Sequence, residues 1–441
     1  MNAREAAFKI LCDIEIEKNY SNMAINKIFK NEKISDKDKG LATELVYGVI
    51  ENRKYLDFII NKLSKIKVKK MSSFVKIILR MGTYQILFLD KIEDHAAVNE
   101  TVKLASKYDG KSKGFVNAIL RNEIRQKRTI KYIDIEDPIR RLAVKYSYQQ
   151  WIVEDWVKNF GIEFAEELLE ALNERPDLYV RTNTLKIDRN SLLKEFEKEG
   201  IKAYKALLPE EAIMVENFKG IENSRLYKEG LFTVQDISSM LVAKVVAPKE
   251  GDMVLDVCSA PGGKSTHMAE LMKNTGKIVS RDVFEHKIKV IKAAAKRLGI
   301  TNIEAEEFDA ANLDENSIEK FDCVLTDVPC SGLGIIRRKP EIKYKAKEEL
   351  VDLPKIQSKI LENASKYVKI NGTLVYSTCT VQDCENIEVV EKFLKENPNY
   401  ELVPIEGINV DPDEQEKGYI KIYPNVHGMD GFFIAKMKRV K

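Results

Sequence analysis

The C-terminal part of the chain alternates short apolar runs with segments of helical spacing, and this alternation restricts the possible folds more than any other feature. The first run, residues 254–258 (Val-Leu-Asp-Val-Cys), leads into a Gly-rich turn and a helix from residue 264. Further runs that predict strands lie at residues 277–280, 303–306, 322–326 and 373–377. Repeated strand–helix units build a mostly parallel sheet with helices on both faces. The sequence therefore predicts an α/β Rossmann-like domain, placed at residues 233–441.

The first 128 residues follow a different pattern. Apolar residues recur there at the i, i+3, i+4, i+7 spacing that puts them on one stripe of a helix. The stripes comprise Ala7, Ile10, Leu11 and Ile14; Ala42, Leu45, Val46 and Val49; Leu56, Ile59, Ile60 and Leu63; Val75, Ile78 and Leu79; Val98, Val102 and Ala105; and Val116, Ile119 and Leu120. This pattern predicts an all-α bundle over residues 1–128.

Two smaller segments separate this bundle from the α/β domain. Residues 129–172 are predicted to form a helical connector in which Asp137-Pro138 breaks the preceding pattern and which holds both tryptophans. Within residues 173–232, strand-like runs at 178–184 and 213–215 flank a helical stretch at 191–200. This arrangement predicts a small α+β unit of RRM-like type, so we expect a multidomain chain.

The composition is typical of a globular protein, with 44% apolar and 32% charged residues among 441. Charges interrupt every apolar stretch before the ~18 residues that span a bilayer, and Arg4 and Glu5 exclude a signal-peptide core. We therefore expect a cytoplasmic protein without a membrane partner. Six scattered cysteines, no CxxC pair and four separated histidines predict reduced thiols and no metal site.

The charge is distributed unevenly along the chain. Residues 1–128 hold 26 Lys and Arg against 16 Asp and Glu, a net charge of +10, while the remaining residues hold 46 against 53, a net charge of −7. A basic N-terminal part attached to a mildly acidic body indicates that the first part binds a polyanion. A solvated helical surface explains the charge equally well.

The turn after the first predicted strand of the α/β domain is a candidate ligand loop. Glycines between a strand and a helix allow a close backbone approach, and the helix N-terminus offers free amides. The spacing matches neither the dinucleotide nor the nucleoside triphosphate fingerprint, and an ordinary tight turn is the alternative. The loop consists of Ser259, Ala260, Pro261, Gly262, Gly263 and Lys264.

Two acidic residues extend this loop into a nucleoside pocket. Asp282 follows the second predicted strand, where an α/β nucleotide site places a carboxylate on the ribose hydroxyls. Asp309 follows the third strand and is placed to meet an adenine edge. Each alone could be a solvated loop acid or a helix cap. A nucleoside pocket without a phosphate cradle favours S-adenosylmethionine as the cofactor.

The fourth and fifth predicted strands each end close to a cysteine, Cys330 in Asp-Val-Pro-Cys and Cys379 in Ser-Thr-Cys. Cys12, Cys258 and Cys323 fit buried, inert thiols. A pair of thiols at neighbouring strand ends instead indicates covalent pyrimidine chemistry. Addition of a thiolate to carbon 6 of cytosine makes carbon 5 nucleophilic toward a methyl sulfonium, and a base must then remove the carbon-5 proton.

These residues resemble the RNA cytosine-5 methyltransferase family, the group that includes the Sun proteins. The matching motifs are Cys258-Ser-Ala-Pro-Gly-Gly-Lys264, Asp327-Val-Pro-Cys330, Ser377-Thr-Cys379 with Glu385-Asn386, and Asp430-Gly-Phe-Phe-Ile-Ala435. The resemblance implies that Cys379 is the nucleophile, that Cys330 assists product release, and that Asp327 contacts the reacting base. It also implies that the cofactor is held by Cys258, Ser259, Ala260, Pro261, Gly262, Gly263, Lys264, Asp282, Asp309 and Asp327.

The N-terminal bundle resembles the NusB-like RNA-binding module, most clearly at His95-Ala-Ala-Val-Asn-Glu100 and Gly114-Phe-Val-Asn-Ala-Ile-Leu-Arg121. A NusB-like module ahead of this catalytic domain is the layout of the RsmB (Sun) branch, which acts on 16S ribosomal RNA. Arg337, Arg338 and Lys339 come just after the Cys330 turn and are expected to bind the RNA backbone next to the target base, with a solvated basic loop as the alternative. The chain differs from the family pattern at Arg281, Phe308 and Cys384.

The leading interpretation is thus a monomeric methyltransferase that acts on 16S ribosomal RNA, free or in an early particle. Two alternatives stay open at this point: an RNA-binding assembly or antitermination-type factor whose catalytic part is a relic, and the same chemistry on transfer RNA. The intact Asp327, Cys330 and Cys379 argue against a relic.

Overall fold

The structure is a computed structural model that describes residues 1–17, 19–218 and 220–441. It divides into two compact units. The helical unit comprises Met1–Asn173 together with Ile336–Ala346, and the sheet unit comprises Glu174–Ile335 together with Lys347–Lys441. None of the helices in the described ranges combines the length and apolar character needed to span a membrane.

The helical unit is built from amphipathic helices whose predicted stripes form one apolar core. Several helices begin at side chains that accept hydrogen bonds from free backbone amides: Ser35 caps Asp38, Ser72 caps Val75, and Asp137 caps Arg140. The helices are α1 (Ala3–Glu15), α2 (Ser21–Asn31), α3 (Asp36–Glu51), α4 (Arg53–Leu63), α5 (Ser73–Phe88), α6 (Asp94–Tyr108), α7 (Lys113–Gln126), α8 (Pro138–Lys145), α9 (Gln150–Phe160) and α10 (Ile162–Ala171). Short 3-10 helices occupy Val68–Lys70, Gly110–Ser112 and Pro340–Tyr344.

The sheet unit contains a small antiparallel sheet with strand order β2-β3-β1-β4. Its strands are β1 (Leu178–Thr182), β2 (Ala203–Lys205), β3 (Ala212–Val215) and β4 (Phe232–Val234), and the helices α11 (Arg189–Lys198) and α12 (Arg225–Lys228) accompany them. Val180, Phe196 and Phe232 are fully buried in the core of this sheet. The α+β character predicted for this region is confirmed.

The larger sheet has the order β10-β12-β9-β8-β5-β6-β7, with β11 paired to β12. Five neighbouring strands, β9, β8, β5, β6 and β7, run parallel to one another. The strands are β5 (Met253–Asp256), β6 (Lys277–Asp282), β7 (Ile303–Glu307), β8 (Phe321–Asp327), β9 (Val368–Thr378), β10 (Tyr400–Leu402), β11 (Tyr419–Ile422) and β12 (Phe432–Arg439). The predicted Rossmann-like domain with a mostly parallel sheet is confirmed.

Helices on both faces complete the unit, and two apolar cores lie between the helices and the large sheet. These helices are α13 (Ile237–Val246), α14 (Gly263–Leu271), α15 (Glu285–Leu298), α16 (Leu353–Ser365), α17 (Ile387–Glu396), α18 (Pro412–Glu416) and α19 (Pro424–His427). Short 3-10 helices lie at Ile221–Asn223, Glu315–Ser317, Lys347–Glu349 and Asp383–Glu385. The carboxyl ends of β5, β6, β8 and β9 meet at one edge, which holds the candidate site.

Candidate active site

Two cysteines meet at the carboxyl ends of β8 and β9. Asp327, the last residue of β8, pairs in register with Ser377 of β9, and each strand then runs into a turn. The turn after β8 carries Cys330, and Cys379 directly follows β9. The Sγ atoms of the two cysteines lie 3.2 Å apart. The structure thus joins the two thiols that the sequence placed at neighbouring strand ends.

A buried glutamate holds both turns in place. The Oε2 atom of Glu385 accepts hydrogen bonds from the Ser331 backbone amide at 2.8 Å and from the Gln357 side chain at 2.9 Å. Gln357 also donates to the carbonyl oxygen of Pro329 at 3.0 Å. The hydroxyls of Ser331 and Thr380 lie 2.7 Å apart and link the two turns directly. This network holds together the two turns that carry the sulfur atoms.

The closing motif of the chain supports the turn that carries Cys379. The backbone amide of Gly334 donates to the Cys379 carbonyl at 3.0 Å, and the Gly431 amide donates to the Gly334 carbonyl at 2.8 Å. A Cβ atom at Gly334 would lie 2.0 Å from the Gly431 carbonyl oxygen. Only glycine fits this approach of two backbone segments, so Gly334 and Gly431 have a packing role.

Lys264 and Asp327 form a charged pair beside the two thiols. The Nζ atom of Lys264, in the first turn of α14, lies 2.6 Å from Oδ2 of Asp327, and the Ser377 hydroxyl donates to Oδ1 at 2.8 Å. Burial by itself lowers the pKa of the Lys264 ammonium, but Asp327 and, further on, Cys379 raise it above its ordinary value. The ammonium therefore stays charged at neutral pH and lies within electrostatic reach of the Cys379 sulfur. A cation beside a thiol stabilises the thiolate.

The two thiols differ in their surroundings. The hydrogen bond with Cys379 and then burial raise the pKa of Cys330 well above its ordinary value. Cys330 therefore keeps its proton at neutral pH and can share it with the neighbouring sulfur. This arrangement favours Cys379 as the sulfur that carries negative charge in the pair.

The predicted ligand loop is anchored to the end of β6. The backbone amide and the hydroxyl of Ser259 both donate to the Arg281 carbonyl, at 2.8 and 2.9 Å. The Ala260 amide donates to Oδ2 of Asp282 at 3.3 Å. Gly262 has a φ of +98°, which lies in the region that favours glycine, and its amide donates to the Ser259 carbonyl at 2.7 Å. The loop and Asp282 thus form one site at the ends of β5 and β6.

The residues of this site fit a nucleoside cofactor. Asp282 is buried, and its Oδ1 atom receives no hydrogen bond from the described residues, although Lys287 lies 3.2 Å from it. A buried carboxylate oxygen with open acceptor capacity suits the hydroxyls of a ribose. Asp309 follows β7 in an exposed turn, where its carboxylate accepts a hydrogen bond from the Ala311 amide at 2.9 Å. This hydrogen bond stabilises the turn that holds Asp309, and the role of Asp309 toward a ligand stays a prediction.

Two of the departures from the family pattern form a single contact. The guanidinium carbon of Arg281 lies 4.5 Å from the centre of the Phe308 ring. Arg281 also pairs with Glu306 at 2.6 Å and Asp314 at 2.7 Å. The large residues at positions 281 and 308 thus pack on each other, and the buried Arg281 side chain forms ion pairs with the more exposed Glu306 and Asp314.

The remaining thiols lie outside the paired-sulfur site. Burial raises the pKa of Cys12 and of Cys323 to about 12, and burial also raises the pKa of Cys258 well above its ordinary value. These three fit inert thiols, whereas Cys384 is exposed. Among the residues that the structure describes, no cluster of His, Cys, Asp or Glu could hold a metal ion.

Family profiles match three parts of the chain. The profile described as 16S rRNA methyltransferase RsmB/F matches residues 243–438, the NusB family profile matches residues 1–125, and a ferredoxin-like domain profile of the RsmF/B-like methyltransferases matches residues 148–222. The probable ribosomal RNA small subunit methyltransferase B of Bacillus subtilis (strain 168) is 40% identical over 449 residues, which cover 99% of both chains. The protein of the same name in Synechocystis is 34% identical over the full length of both chains. The chain belongs to the ribosomal RNA small subunit methyltransferase B family.

The crystal structure of PH0851 shares the fold, with a TM-score of 0.83, 26% identity and coverage of 98% of both chains. Membership in the methyltransferase B family confirms the resemblance to the RsmB (Sun) branch and the NusB-like module. It also confirms S-adenosylmethionine as the cofactor, because the family is one of S-adenosylmethionine-dependent methyltransferases.

Sequence reasoning missed two residues that build this methyltransferase B site, Gln357 and Asp256. Gln357 lies in the middle of α16, and its only sequence signal is a polar residue on the face that becomes buried. Asp256, the last residue of β5, accepts a hydrogen bond from the Ser265 hydroxyl at 2.6 Å. Burial raises the pKa of Asp256 to about 7, and the nearby Asp327 adds to this effect. A charged residue that ends an apolar strand beside the ligand loop was the available signal.

Proposed function

We propose that this chain transfers a methyl group from S-adenosylmethionine to carbon 5 of a specific cytosine in 16S small-subunit ribosomal RNA, through a covalent bond between Cys379 and the base. The observation that carries the proposal is the 3.2 Å contact between the sulfur atoms of Cys330 and Cys379. The Lys264–Asp327 pair beside them supports the same chemistry. The names of the relatives support small-subunit ribosomal RNA as the substrate of methyl transfer.

The residues of the ligand loop and the Asp282 carboxylate would hold the cofactor. When bound, S-adenosylmethionine supplies an electrophilic methyl group on a sulfonium. Asp282 provides the open acceptor for the ribose, and Ala260 keeps that carboxylate oriented through its amide. Asp309, predicted to meet the adenine, completes the proposed set.

The Cys379 thiolate attacks carbon 6 of the cytosine and forms a carbon–sulfur bond, which gives carbon 5 its nucleophilic character. Lys264 stabilises the thiolate before this step, and Asp327 contacts the base. Carbons 5 and 6 are hidden in a stacked helix, so the target is a loop nucleotide or is flipped out of its stack.

Release needs a base for the carbon-5 proton, and we assign this role to Cys330. The neighbouring Cys379 is the first cause of its raised pKa. Once the Cys379 sulfur is bonded to carbon, that first cause is gone and the pKa of Cys330 falls, although burial still raises it. In the proposed step the Cys330 thiol gives its proton to solvent, and the resulting thiolate accepts the proton from carbon 5. The carbon–sulfur bond then breaks and regenerates the Cys379 thiolate.

Bisulfite mapping of ribosomal RNA tests the proposal in cells that lack this chain. We expect one 16S cytosine to lose its resistance to bisulfite and to regain it when the wild-type chain is restored, but not when the Cys379→Ala variant is. An unchanged bisulfite map of 16S ribosomal RNA would overturn the assignment of this RNA as the substrate. If a cytosine in transfer RNA loses its bisulfite resistance instead, the proposed reaction stands but its substrate is transfer RNA.

A further inference from the structure

Residues 336–346, here named the anchor segment, are built into the helical unit although the residues on both sides of them belong to the sheet unit. The segment follows the Cys330 turn along the chain. After Ile336 it carries the basic triplet Arg337, Arg338 and Lys339, and it continues into the 3-10 helix Pro340–Tyr344. Its contacts within the helical unit explain why it holds that position.

Glu341 caps a helix of the helical unit. Its carboxylate accepts hydrogen bonds from the backbone amide of Ser21 at 3.1 Å and from the Ser21 hydroxyl at 3.2 Å. Ser21 is the first residue of α2, where free amides and the helix dipole favour a negative charge. One position before this helix, the Tyr20 ring lies 5.7 Å from the Lys339 ammonium.

Lys343 is buried in the same unit, with 1% of its surface exposed. Its Nζ atom donates to the carbonyl oxygens of Glu51 at 3.1 Å and Tyr146 at 3.4 Å, and it lies 4.6 Å from the centre of the Tyr148 ring. Burying an amine against carbonyls and an aromatic ring is costly. A segment that only had to cross the surface would not need such a residue.

Tyr344 fixes the end of the segment. Its hydroxyl donates to the Ile50 carbonyl at 2.6 Å and lies 3.0 Å from the Ser147 hydroxyl. The Arg53 guanidinium stacks at 3.6 Å from the centre of its ring. The segment is thus held at three successive points, at Glu341, Lys343 and Tyr344.

We propose that the anchor segment fixes Arg337, Arg338 and Lys339 as part of the RNA-binding surface of the helical unit, with Glu341, Lys343 and Tyr344 as positioning residues. This inference rests on the proposed function for its RNA substrate. Arg337 lies seven positions after Cys330, so at most roughly 25 Å of extended chain joins the two residues. Phosphates bound at the triplet therefore lie within the reach of this connecting chain from the Cys330 turn.

Direct RNA binding tests the inference without relying on methyl transfer. Each cation that contacts a phosphate adds to the slope of log Kd against log salt concentration. A triple alanine variant at positions 337–339 should lower this slope by about two to three. Tyr344→Phe removes no charge, yet it should also lower the slope if the anchor segment positions the triplet. Tyr55→Phe is the matched control, because the Tyr55 hydroxyl donates to the Lys131 carbonyl at 3.4 Å, outside the segment.

A second variant separates positioning from simple electrostatics. Glu341→Ala removes a negative charge, which alone would strengthen RNA binding, whereas loss of the cap should weaken it by about tenfold at 0.15 M salt. Glu348→Ala removes the same charge at an exposed position outside the segment and should not weaken binding. Unchanged salt slopes for Tyr344→Phe, or equal effects of Glu341→Ala and Glu348→Ala, would overturn the inference. A wild-type chain that binds RNA with the expected slope but methylates no cytosine would instead contradict the proposed function.

Discussion

The sulfur atoms of Cys330 and Cys379 lie 3.2 Å apart, although 49 positions separate the two residues in the chain. This contact joins the ends of two neighbouring parallel strands and depends on the buried Glu385, which fixes the turn that follows β8. A sulfur pair at this distance constrains the chemistry of each member, because the charge on one sets the proton affinity of the other.

The first prediction concerns the division of roles within the pair. Cys379→Ala removes the nucleophile, so methyl transfer to RNA should fall by about 10³-fold or more. Cys330→Ala leaves the nucleophile but removes the base needed for release, so a covalent protein–RNA adduct should accumulate. Denaturing gel electrophoresis with labelled RNA detects that adduct as a retarded band. An adduct formed by Cys379→Ala would reverse the assignment.

The second prediction concerns oxidation. Thiols in contact are converted to a disulfide by a mild oxidant such as oxidised glutathione, which takes up the two electrons and two protons. We expect treatment with this oxidant to abolish methyl transfer, to crosslink Cys330 with Cys379 in peptide mass spectra, and to be reversed by dithiothreitol. Cys384→Ser, which alters the exposed thiol, should be inactivated like the wild type. A crosslink that involves Cys384 would contradict this prediction.

The third prediction concerns Lys264, whose ammonium lies 2.6 Å from the Asp327 carboxylate. Lys264→Met should free Asp327 from its partner and remove the cation near the Cys379 sulfur, and kcat should fall by about 10²- to 10³-fold. Lys264→Arg keeps the charge and should retain more activity than the methionine variant. Steady-state kinetics on an RNA substrate measures kcat for both variants. Equal losses of kcat in the two variants would show that the positive charge of Lys264 is not the cause.

The parallel strands could be predicted because each buried strand is a nearly continuous apolar run, such as the one that became β5. The antiparallel edge was harder to predict. Residues of β12 were identified only as a closing motif, since pairing of β12 with β9 is a long-range contact that local periodicity does not encode. The chain order of β8 and β9 placed both cysteines at one edge, but their distance depends on Glu385 and Gln357, which lie on other elements.

Positions 281 and 308 illustrate the same limit. In the sequence Arg281 and Phe308 are two separate departures from the family pattern. Arg281 lies on β6, and Phe308 directly follows the neighbouring strand β7. In the structure the Arg281 guanidinium lies over the Phe308 ring, and Glu306 and Asp314 neutralise its charge. Pairs of compensating residues become visible only when the register of β6 and β7 is known.

The fourth prediction concerns Arg181, a fully buried residue of β1 whose guanidinium forms two hydrogen bonds of 2.9 Å with the Glu270 carboxylate. It also donates to the Gly263 carbonyl of the ligand loop at 2.7 Å. Arg181→Met leaves Glu270 buried without its cation, so the sheet unit should lose about 3 to 5 kcal/mol of stability.

Denaturant unfolding followed by circular dichroism measures this loss, and Arg181→Met with Glu270→Leu is the control. The double variant removes both charges and should regain most of the lost stability. An equal loss in the single and double variants would mean that packing, not the unpaired carboxylate, causes the effect.

The fifth prediction concerns the pH dependence of stability and rests on Glu123 in the helical unit. Glu123 is fully buried, its Oε2 atom accepts a hydrogen bond from the Thr83 hydroxyl at 2.8 Å, and burial raises its pKa to about 8. The unfolded chain loses this proton near pH 4.5 while the folded chain keeps it up to about pH 8. Ionisation of Glu123 therefore leaves the free energy of unfolding unchanged below pH 4.5. As the pH rises from 4.5 to 8, this ionisation lowers the free energy of unfolding.

Glu123→Gln replaces the protonated acid with a neutral amide and removes this dependence. At pH 7 the variant should be more stable than the wild type by on the order of 3 kcal/mol, and the difference should vanish near pH 4.5. Unfolding curves at several pH values measure the difference. Glu167→Gln serves as the control, because Glu167 is an exposed residue of the same unit, and its replacement should leave the pH profile unchanged. A Glu123→Gln variant with the wild-type profile between pH 5 and 8 would show that Glu123 is ionised in the folded chain.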